Sequence, residues 1–402
     1  MSWYDKHQRV LPWRSPSPSF AKHNPRKLKD KWTPKDIEKG YLVLVSEIML
    51  QQTQVDTVIP YFMKWMEAFP SVKDLAEASE ERVNEMWSGL GYYRRAKYLH
   101  SSAKLVMEKH NGQLPQTCSE LLKLPGIGQY TAGAVSSIAF GECTPLVDGN
   151  VIRVLSRLRF IRADPKASKI NKLYWKLAKD LVPQDRPGDF NQSLMDLGAT
   201  ICTPKSAQCG SCPISSYCYT HQMIRNNDKQ PTLKNCDICT FADHISDVSQ
   251  LPIKVPKKAQ KEKFTLVSIV QRTLDEESEP QYLIIKRPAT GLLGSFWEFP
   301  SLDVDQKINY DKQIKKRDHF MKTELGLTSF KITSRKYVGE VKHTFTHIKQ
   351  YLDVEHISIV EKPVKGKERK RKEESSSDSE SLSQSREESS EEKKKLKNKN
   401  MK

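Results

Sequence analysis

Four thiols crowd one short stretch of this chain, in the order Cys202-x6-Cys209-x2-Cys212-x5-Cys218. Thiolates spaced this closely on a loop that runs into a helix can wrap one inorganic centre, and four Cys ligands are what a [4Fe–4S] cluster requires. A structural zinc is the rival, but its ligands usually come as two close pairs. Only Cys209 and Cys212 form such a pair, so the spacing favours the cluster. Six of the eight cysteines lie between Cys202 and Cys239. The N-terminus, Met1-Ser2-Trp3-Tyr4-Asp5, carries no apolar secretory core and no Arg/Ser-rich transit pattern, so neither a disulfide framework nor a mitochondrial form is expected. No hydride or radical motif accompanies the cysteines, which points to a structural part for the cluster.

The rest of the chain divides by hydrophobic period. Residues 1–220 read as an all-α region, with apolar positions such as Leu99, Ala103, Val106 and Met107 at helical spacing. Residues 15–39 within it are rich in Lys, Pro and Ser and read as an insertion. Residues 221–262 are polar and Lys-rich, hold Cys236-x2-Cys239, and read as a connector. From 263 to 358 the period shifts to strands, at Phe264–Val270, Tyr282–Lys286 and Tyr337–Val341, with one helix near 311–325, giving an α+β domain. Residues 359–402 are a Lys/Glu/Ser tract that cannot bury a core and reads as a disordered tail. The longest uncharged run, Leu124–Gly141, is full of Gly, Ser, Thr and Gln, so no membrane span is expected. With 66 Lys and Arg against 49 Asp and Glu, the net charge of +17 makes a polyanion the expected partner.

Two further features carry chemistry. Residues 121–134 contain Leu124-Pro125-Gly126-Ile127-Gly128-Gln129-Tyr130-Thr131, which reads as a helix, a tight glycine turn and a second helix of small residues. Such a hairpin points backbone N–H groups at an anion, here a DNA phosphate, with Gly126 and Gly128 at the contact. Lys205, in the first cysteine loop, is placed to meet another phosphate. Two acids stand in contrasting settings. Glu47 lies in a nearly all-apolar helix, Tyr41–Leu50, so burial should raise its pKa, unless it sits at the helix edge and reaches water. Asp148 precedes Gly149-Asn150 and a helix, where it can simply cap the N-terminus and where the helix also favours its charge. One proton donor beside one standing carboxylate suits glycosidic bond cleavage.

Over roughly residues 2–350, the chain resembles MutY-type adenine DNA glycosylases, of the helix–hairpin–helix superfamily shared with endonuclease III. The matching blocks are Leu11–Arg14, Val45–Thr53, Gly89–Tyr93, Leu124–Thr131, Val147–Asn150, the cysteine set, Gly291–Pro300 and His343–His347. The resemblance implies a six-helix barrel with an iron–sulfur subdomain, then a Nudix-like domain, and removal of adenine mispaired with 8-oxoguanine or guanine in double-stranded DNA, leaving an abasic site. It implies Glu47 as the acid on adenine N7 and Asp148 as the group that stabilises or transiently attacks the sugar cation. Tyr130 and Asn150 would orient Asp148 and the intermediate. Trp13, Arg14 and Leu50 would line the adenine pocket, and Gln52 and Tyr92 would wedge into the base stack. Phe345, Thr346 and His347 would read 8-oxoguanine, with Thr346 where the family more often has Ser. Cys236 and Cys239 resemble part of a zinc site in the connector of animal members; a third cysteine is missing, and His221 or His244 are the candidates to replace it. The expected protein is a monomeric nuclear enzyme, addressed by Lys367–Lys372, with room for repair or replication partners.

Two rivals fail on named residues. A Nudix hydrolase needs three acids in its metal box, but His319, Phe320, Thr323 and Glu324 occupy the four defining positions. A glycosylase/lyase of the endonuclease III type needs a Lys nucleophile in the second hairpin helix, where this chain has Tyr130. Borohydride added during turnover should therefore trap no covalent DNA complex, and Tyr130→Lys should gain trapping. Efficient trapping by the unmutated protein would show that another lysine serves as nucleophile.

Overall fold

A computed structural model describes residues 1–14, 38–227, 230–256 apart from 231–235, 237 and 242–243, and 259–361 apart from 273–278, 289–290, 292, 295 and 346. Most of the 15–39 insertion, and the tail from 362 with its basic run Lys367–Lys372, lie outside them. The chain forms two compact units, Met1–Lys258 and Ala259–Lys402. Among the described residues no helix is long and apolar enough to cross a membrane.

The first unit is helical: α1 (Ser2–His7), α2 (Lys39–Leu50), α3 (Val55–Ala68), α4 (Val72–Glu77), α5 (Glu80–Trp87), α6 (Arg94–His110), α7 (Cys118–Leu121), α8 (Gln129–Phe140), α9 (Gly149–Leu158), α10 (Ser168–Leu181), α11 (Pro187–Thr200) and α12 (Tyr219–Arg225). Helix α2 is buried from Gly40 to Met49, as its apolar circumference requires, and it packs against α8. The small residues of α8 allow that approach, and α8 is buried from Thr131 to Ile138. Its serines are satisfied locally: Ser137 Oγ donates to the Gly133 carbonyl at 2.7 Å and accepts from Asn191 Nδ2 of α11 at 2.9 Å. Trp65 and Trp87 meet edge to face at 5.4 Å and tie α3 to α5. The described part of the stretch read as a connector packs onto this unit. Ile245 and Leu251 form a small core with Phe160, and the Thr240 and Phe241 amides donate to the Arg162 carbonyl.

In the second unit, β1 (Lys261–Arg272) pairs in parallel with β7 (Ile348–Glu361) and antiparallel with β2 (Gln281–Tyr282) and β5 (Ser301–Val304). Strand β6 (Phe330–Thr344) pairs antiparallel with β7, while β3 (Ile285–Lys286) and β4 (Trp297–Glu298) form a separate ribbon. Helix α13 (Tyr310–Thr323) lies against β1, and its buried Arg317 donates to the carbonyls of Val267 at 2.6 Å and Asp353 at 2.8 Å. Strand β7 has no apolar alternation to reveal it, because its buried face carries Asp353 and Glu355 before Ile357 and Ile359. The Arg317 guanidinium lies 3.5 Å from the Glu355 carboxylate, which makes that burial tolerable.

The N-terminal segment is fastened to the helical unit by ion pairs to α11, of which the buried one centres on Asp196. Asp196 on α11, with none of its side chain exposed, takes Arg14 through both carboxylate oxygens at 2.5 and 2.9 Å and Arg9 Nε at 2.5 Å. Burial alone would raise its pKa, but hydrogen bonding and charge from Arg14, with the charge of Arg9, hold it below the ordinary 3.8. Asp196→Ala should cost roughly 3 kcal/mol, because two guanidinium groups lose their partner. The contribution is present above the ordinary carboxylate pKa and lost as the pH falls through the lower folded value. Urea midpoints of wild type and mutant should therefore differ at pH 7 and converge in acid; a constant gap would refute the ion-pair account.

Candidate active site

Helices α2, α3, α8, α9 and α11 and the N-terminal segment close around a cavity of about 880 Å³. Trp13, Arg14, Glu47, Leu50, Gln52, Tyr130, Asp148 and Asn150 all line it. Glu47 comes from the last turns of α2, Tyr130 from the first turn of α8, and Asp148 caps α9.

Glu47 is 5% exposed, so it does not reach water from a helix edge. Its side chain is met by Tyr130, whose hydroxyl donates to Oε2 at 2.5 Å. Burial pushes the Glu47 carboxyl up to about 7, the Tyr130 hydrogen bond opposes this, and the charge of Asp148 adds to it. Tyr130 was expected to orient Asp148; its hydroxyl goes to Glu47 instead. Asn150 does meet Asp148, donating from Nδ2 to Oδ2 at 2.7 Å, while the Val151 amide donates to Oδ1 at 2.7 Å. Burial also raises the Asp148 pKa, but the Val151 amide and both Asn150 donors pull it back. One carboxyl faces a single hydroxyl and the other faces several N–H groups at a helix N-terminus. Asp148, whose net shift is also upward, therefore has more donors favouring its charged form than Glu47 has.

Several residues in and behind this site have no motif of their own. Arg9, Gln192 and Met195 line the cavity, and the Tyr130 oxygen lies 3.5 Å from Met195 Sδ. Asp196 had a signal in the same form as Glu47, an acid within the apolar stretch Leu194-Met195-Asp196-Leu197. Arg153 donates from Nη2 to Asn150 Oδ1 and to the Gly198 carbonyl, both at 2.6 Å, and from Nε to the Cys202 carbonyl at 2.7 Å. One turn further along α9, Arg157 donates to the Thr203 carbonyl at 2.8 Å and reaches Cys202 Sγ at 3.2 Å. Cys202, Cys209, Cys212 and Cys218 line one small cavity with Arg157 and His221. Burial raises the thiols of Cys209, Cys212 and Cys218, so ionised sulfur there needs compensating positive charge. Four half-buried thiols around one cavity, with an arginine against the first, have the donor chemistry of an iron–sulfur ligand set. Among the described residues, no three His, Cys, Asp or Glu side chains gather around a single-ion position. Cys236 Sγ accepts from the Cys239 amide at 3.2 Å; His221 belongs to the four-cysteine cavity and His244 meets Gln230, so neither completes a zinc site with that pair.

Within the helical unit, Gly126, Gly128, Tyr92 and Lys205 do not line the cavity. Gly126 takes a positive φ of 73° in the hairpin turn, and a Cβ there would sit 2.4 Å from Tyr98 Cβ, so only glycine fits. Gly128 caps α8, whose first turn has no side-chain cap bond and no acid, leaving its amides suited to an anion. Tyr92 is 48% exposed beside the start of α6, and Lys205 is exposed in the cysteine loop. In the second unit, Phe345 and His347 lie in the β6–β7 turn, where the Phe345 amide donates to the Ile348 carbonyl at 2.8 Å. Thr346 between them lies outside the described residues.

Residues 45–180 match the HhH-GPD superfamily of base excision DNA repair proteins, and residues 275–386 match the NUDIX domain. An adenine DNA glycosylase of Mus musculus is 37% identical over 380 residues, covering 90% of this chain and 70% of that one. One from Schizosaccharomyces pombe is 41% identical over 371 residues, covering 87% of this chain and 78% of that one. The chain belongs to the adenine DNA glycosylases. Adenine DNA glycosylases are base excision repair enzymes that cleave N-glycosyl bonds, and this one combines a helix–hairpin–helix unit with a Nudix-like α+β unit.

The glycosylase should show its buried acid in pH dependence. If Glu47 acts protonated, the single-turnover rate of adenine release should fall as pH rises through about 7. Its raised pKa contributes stability only below the unfolded value and loses it as pH rises through the folded one. Glu47→Gln should therefore abolish release yet melt higher than wild type at pH 8, with the gap closing in acid. Equal melting temperatures at all pH values would mean that Glu47 is solvated.

Proposed function

We propose that the enzyme removes adenine mispaired with 8-oxoguanine, and with guanine, by hydrolysis that leaves an abasic site. The observation that carries this is the pair of carboxyls in one cavity, Glu47 under a single hydroxyl and Asp148 under several N–H donors. Glu47 holds a proton at neutral pH and delivers it to N7 of the extruded adenine, turning the base into a neutral leaving group. Asp148, kept anionic by Asn150 and the α9 amides, faces the developing sugar cation and stabilises it or attacks it transiently. Tyr130 fixes the Glu47 carboxyl and offers no amine, so no Schiff base forms. Trp13, Arg14 and Leu50 bound the adenine, with Arg14 itself fixed by Asp196.

Around this centre, the net charge of +17, the hairpin amides near Gly126 and Gly128, and Lys205 support duplex binding through phosphates. Gln52 and Tyr92 support base extrusion by filling the space adenine leaves. We assign Cys202, Cys209, Cys212 and Cys218 to a [4Fe–4S] cluster, which supplies local structure when bound. Phe345, Thr346 and His347 are proposed to read 8-oxoguanine. We further propose residues 1–220 as the catalytic region and 263–358 as the reading domain, in a nuclear monomer addressed by Lys367–Lys372.

The decisive assay uses duplexes carrying A:8-oxoG, A:G, A:C or thymine glycol under single-turnover conditions. Adenine should leave fastest opposite 8-oxoguanine, and His347→Ala should shrink that preference over A:G without abolishing release from A:G. Cleavage confined to thymine glycol would overturn the proposal.

A further inference from the structure

The turn that joins α5 to α6 and the turn that follows α2 are far apart in sequence, yet one side chain is bonded to both. Arg95, the second residue of α6, is 7% exposed. Its Nη1 donates into the end of α2, with the carbonyls of Ile48 at 3.2 Å, Met49 at 2.7 Å and Gln51 at 2.6 Å, and Thr53 Oγ1 at 3.1 Å. Two hydrogens serve four acceptors there, so the bonds are shared. Its Nη2 donates to Gly91 at 2.9 Å and Leu90 at 3.3 Å. The guanidinium also lies over the rings of Trp87 at 5.2 Å and Tyr92 at 5.4 Å. Burial lowers its pKa only to about 10, so it remains a cation in neutral solution.

The two turns share a second property. Gln52 has φ 56° and Tyr92 has φ 50°, both in the left-handed region that side chains disfavour. Conformations of this kind persist where the surroundings over-determine them. Gln52 and Tyr92 both leave the protein surface exposed, while the backbone on either side of each is held from beneath by Arg95. Gly89, in the second turn, has φ 94°, where a side chain would be strained, and the Tyr61 hydroxyl stands 2.4 Å from where its Cβ would be.

We propose that Arg95 is a positioning residue for base extrusion: one buried guanidinium sets the left-handed turns of Gln52 and Tyr92 in fixed register, so that the two side chains act on the duplex as one rigid wedge. This rests on the reading, given above, that Gln52 and Tyr92 enter the base stack. Arginine is required because its planar fork spans two groups of carbonyls at once, whereas the lysine ammonium is a single point. The arrangement also reaches the chemistry, since the helix end that Arg95 holds is the one that carries Glu47.

The test compares the full-length wild type with Arg95→Lys, which keeps the charge and removes the fork. A duplex with 2-aminopurine opposite 8-oxoguanine reports extrusion by fluorescence, and adenine release is measured in parallel. The expected result is that extrusion amplitude and release rate fall together by about tenfold or more, as misplaced groups typically cost. Affinity for undamaged duplex, which phosphate contacts set, should change by less than about threefold. Extrusion of wild-type amplitude in Arg95→Lys overturns the proposal. Should that variant fail to fold, Gln52→Ala, Tyr92→Ala and their double mutant decide the matter: non-additive losses support one wedge, and independent additive losses overturn it. A wild type that releases no adenine overturns the proposed function, and the fluorescence measurement then still decides the part played by Arg95.

Discussion

A carboxyl group taken out of water must stay protonated or find donors, and the helical unit meets that demand in three different ways within one neighbourhood. Glu47 is given one hydroxyl and keeps its proton near neutrality. Asp148 is given the amide of Val151 and the donors of Asn150, at the positive end of α9. Asp196 is given two guanidinium groups and is held anionic. The residue types differ by one methylene at most, so their roles follow from the donors around them. Even Asp196, which faces no substrate, matters here because it fixes Arg14 at the cavity wall.

Buried arginines do a comparable task for loops. Arg95 joins the end of α2 to the turn before α6, Arg153 and Arg157 join α9 to the first cysteine loop, and Arg317 joins α13 to β1 and β7. In each case the acceptors are mainly backbone carbonyls. A guanidinium suits this because it carries several donors in a fixed plane and stays charged when buried. The consequence for function is that Asn150, which holds Asp148, is itself held by Arg153, whose Nε donates to the Cys202 carbonyl. The wall of the active cavity and the cysteine loop therefore share one hydrogen-bonded frame.

The second unit shows fold and chemistry parting company. Its mixed sheet and helix belong with the Nudix domain, yet the positions of the metal box carry His319, Phe320, Thr323 and Glu324. The buried acids there are partnered inside the unit: Glu355 meets Arg317, Arg335 and Tyr310, and Asp353 Oδ1 accepts from the Tyr337 hydroxyl. What the fold retains is a framework that ends two long strands in the tight turn bearing Phe345 and His347.

The amino-acid order alone settled the helical character of the first unit, the burial of Glu47, the capping position of Asp148 and the grouping of the cysteines. Each depends on neighbours a few residues away: apolar residues around the whole of α2, glycine after an Asx cap, thiols on one short loop. The strand Phe264–Val270 and the helix near 311–325 were legible for the same reason. Strand β7 was not, since its inward acids erase the alternation, and neither was the packing of Ile245 and Leu251 against Phe160, because apolar anchors are sparse in that stretch. The partner of Tyr130, the clamp of Asp196 on Arg9 and Arg14, and the bridging by Arg95 were decided only in three dimensions. Their partners lie tens to nearly two hundred residues apart, and a hydrogen bond at such separation leaves no period or spacing in the sequence to read.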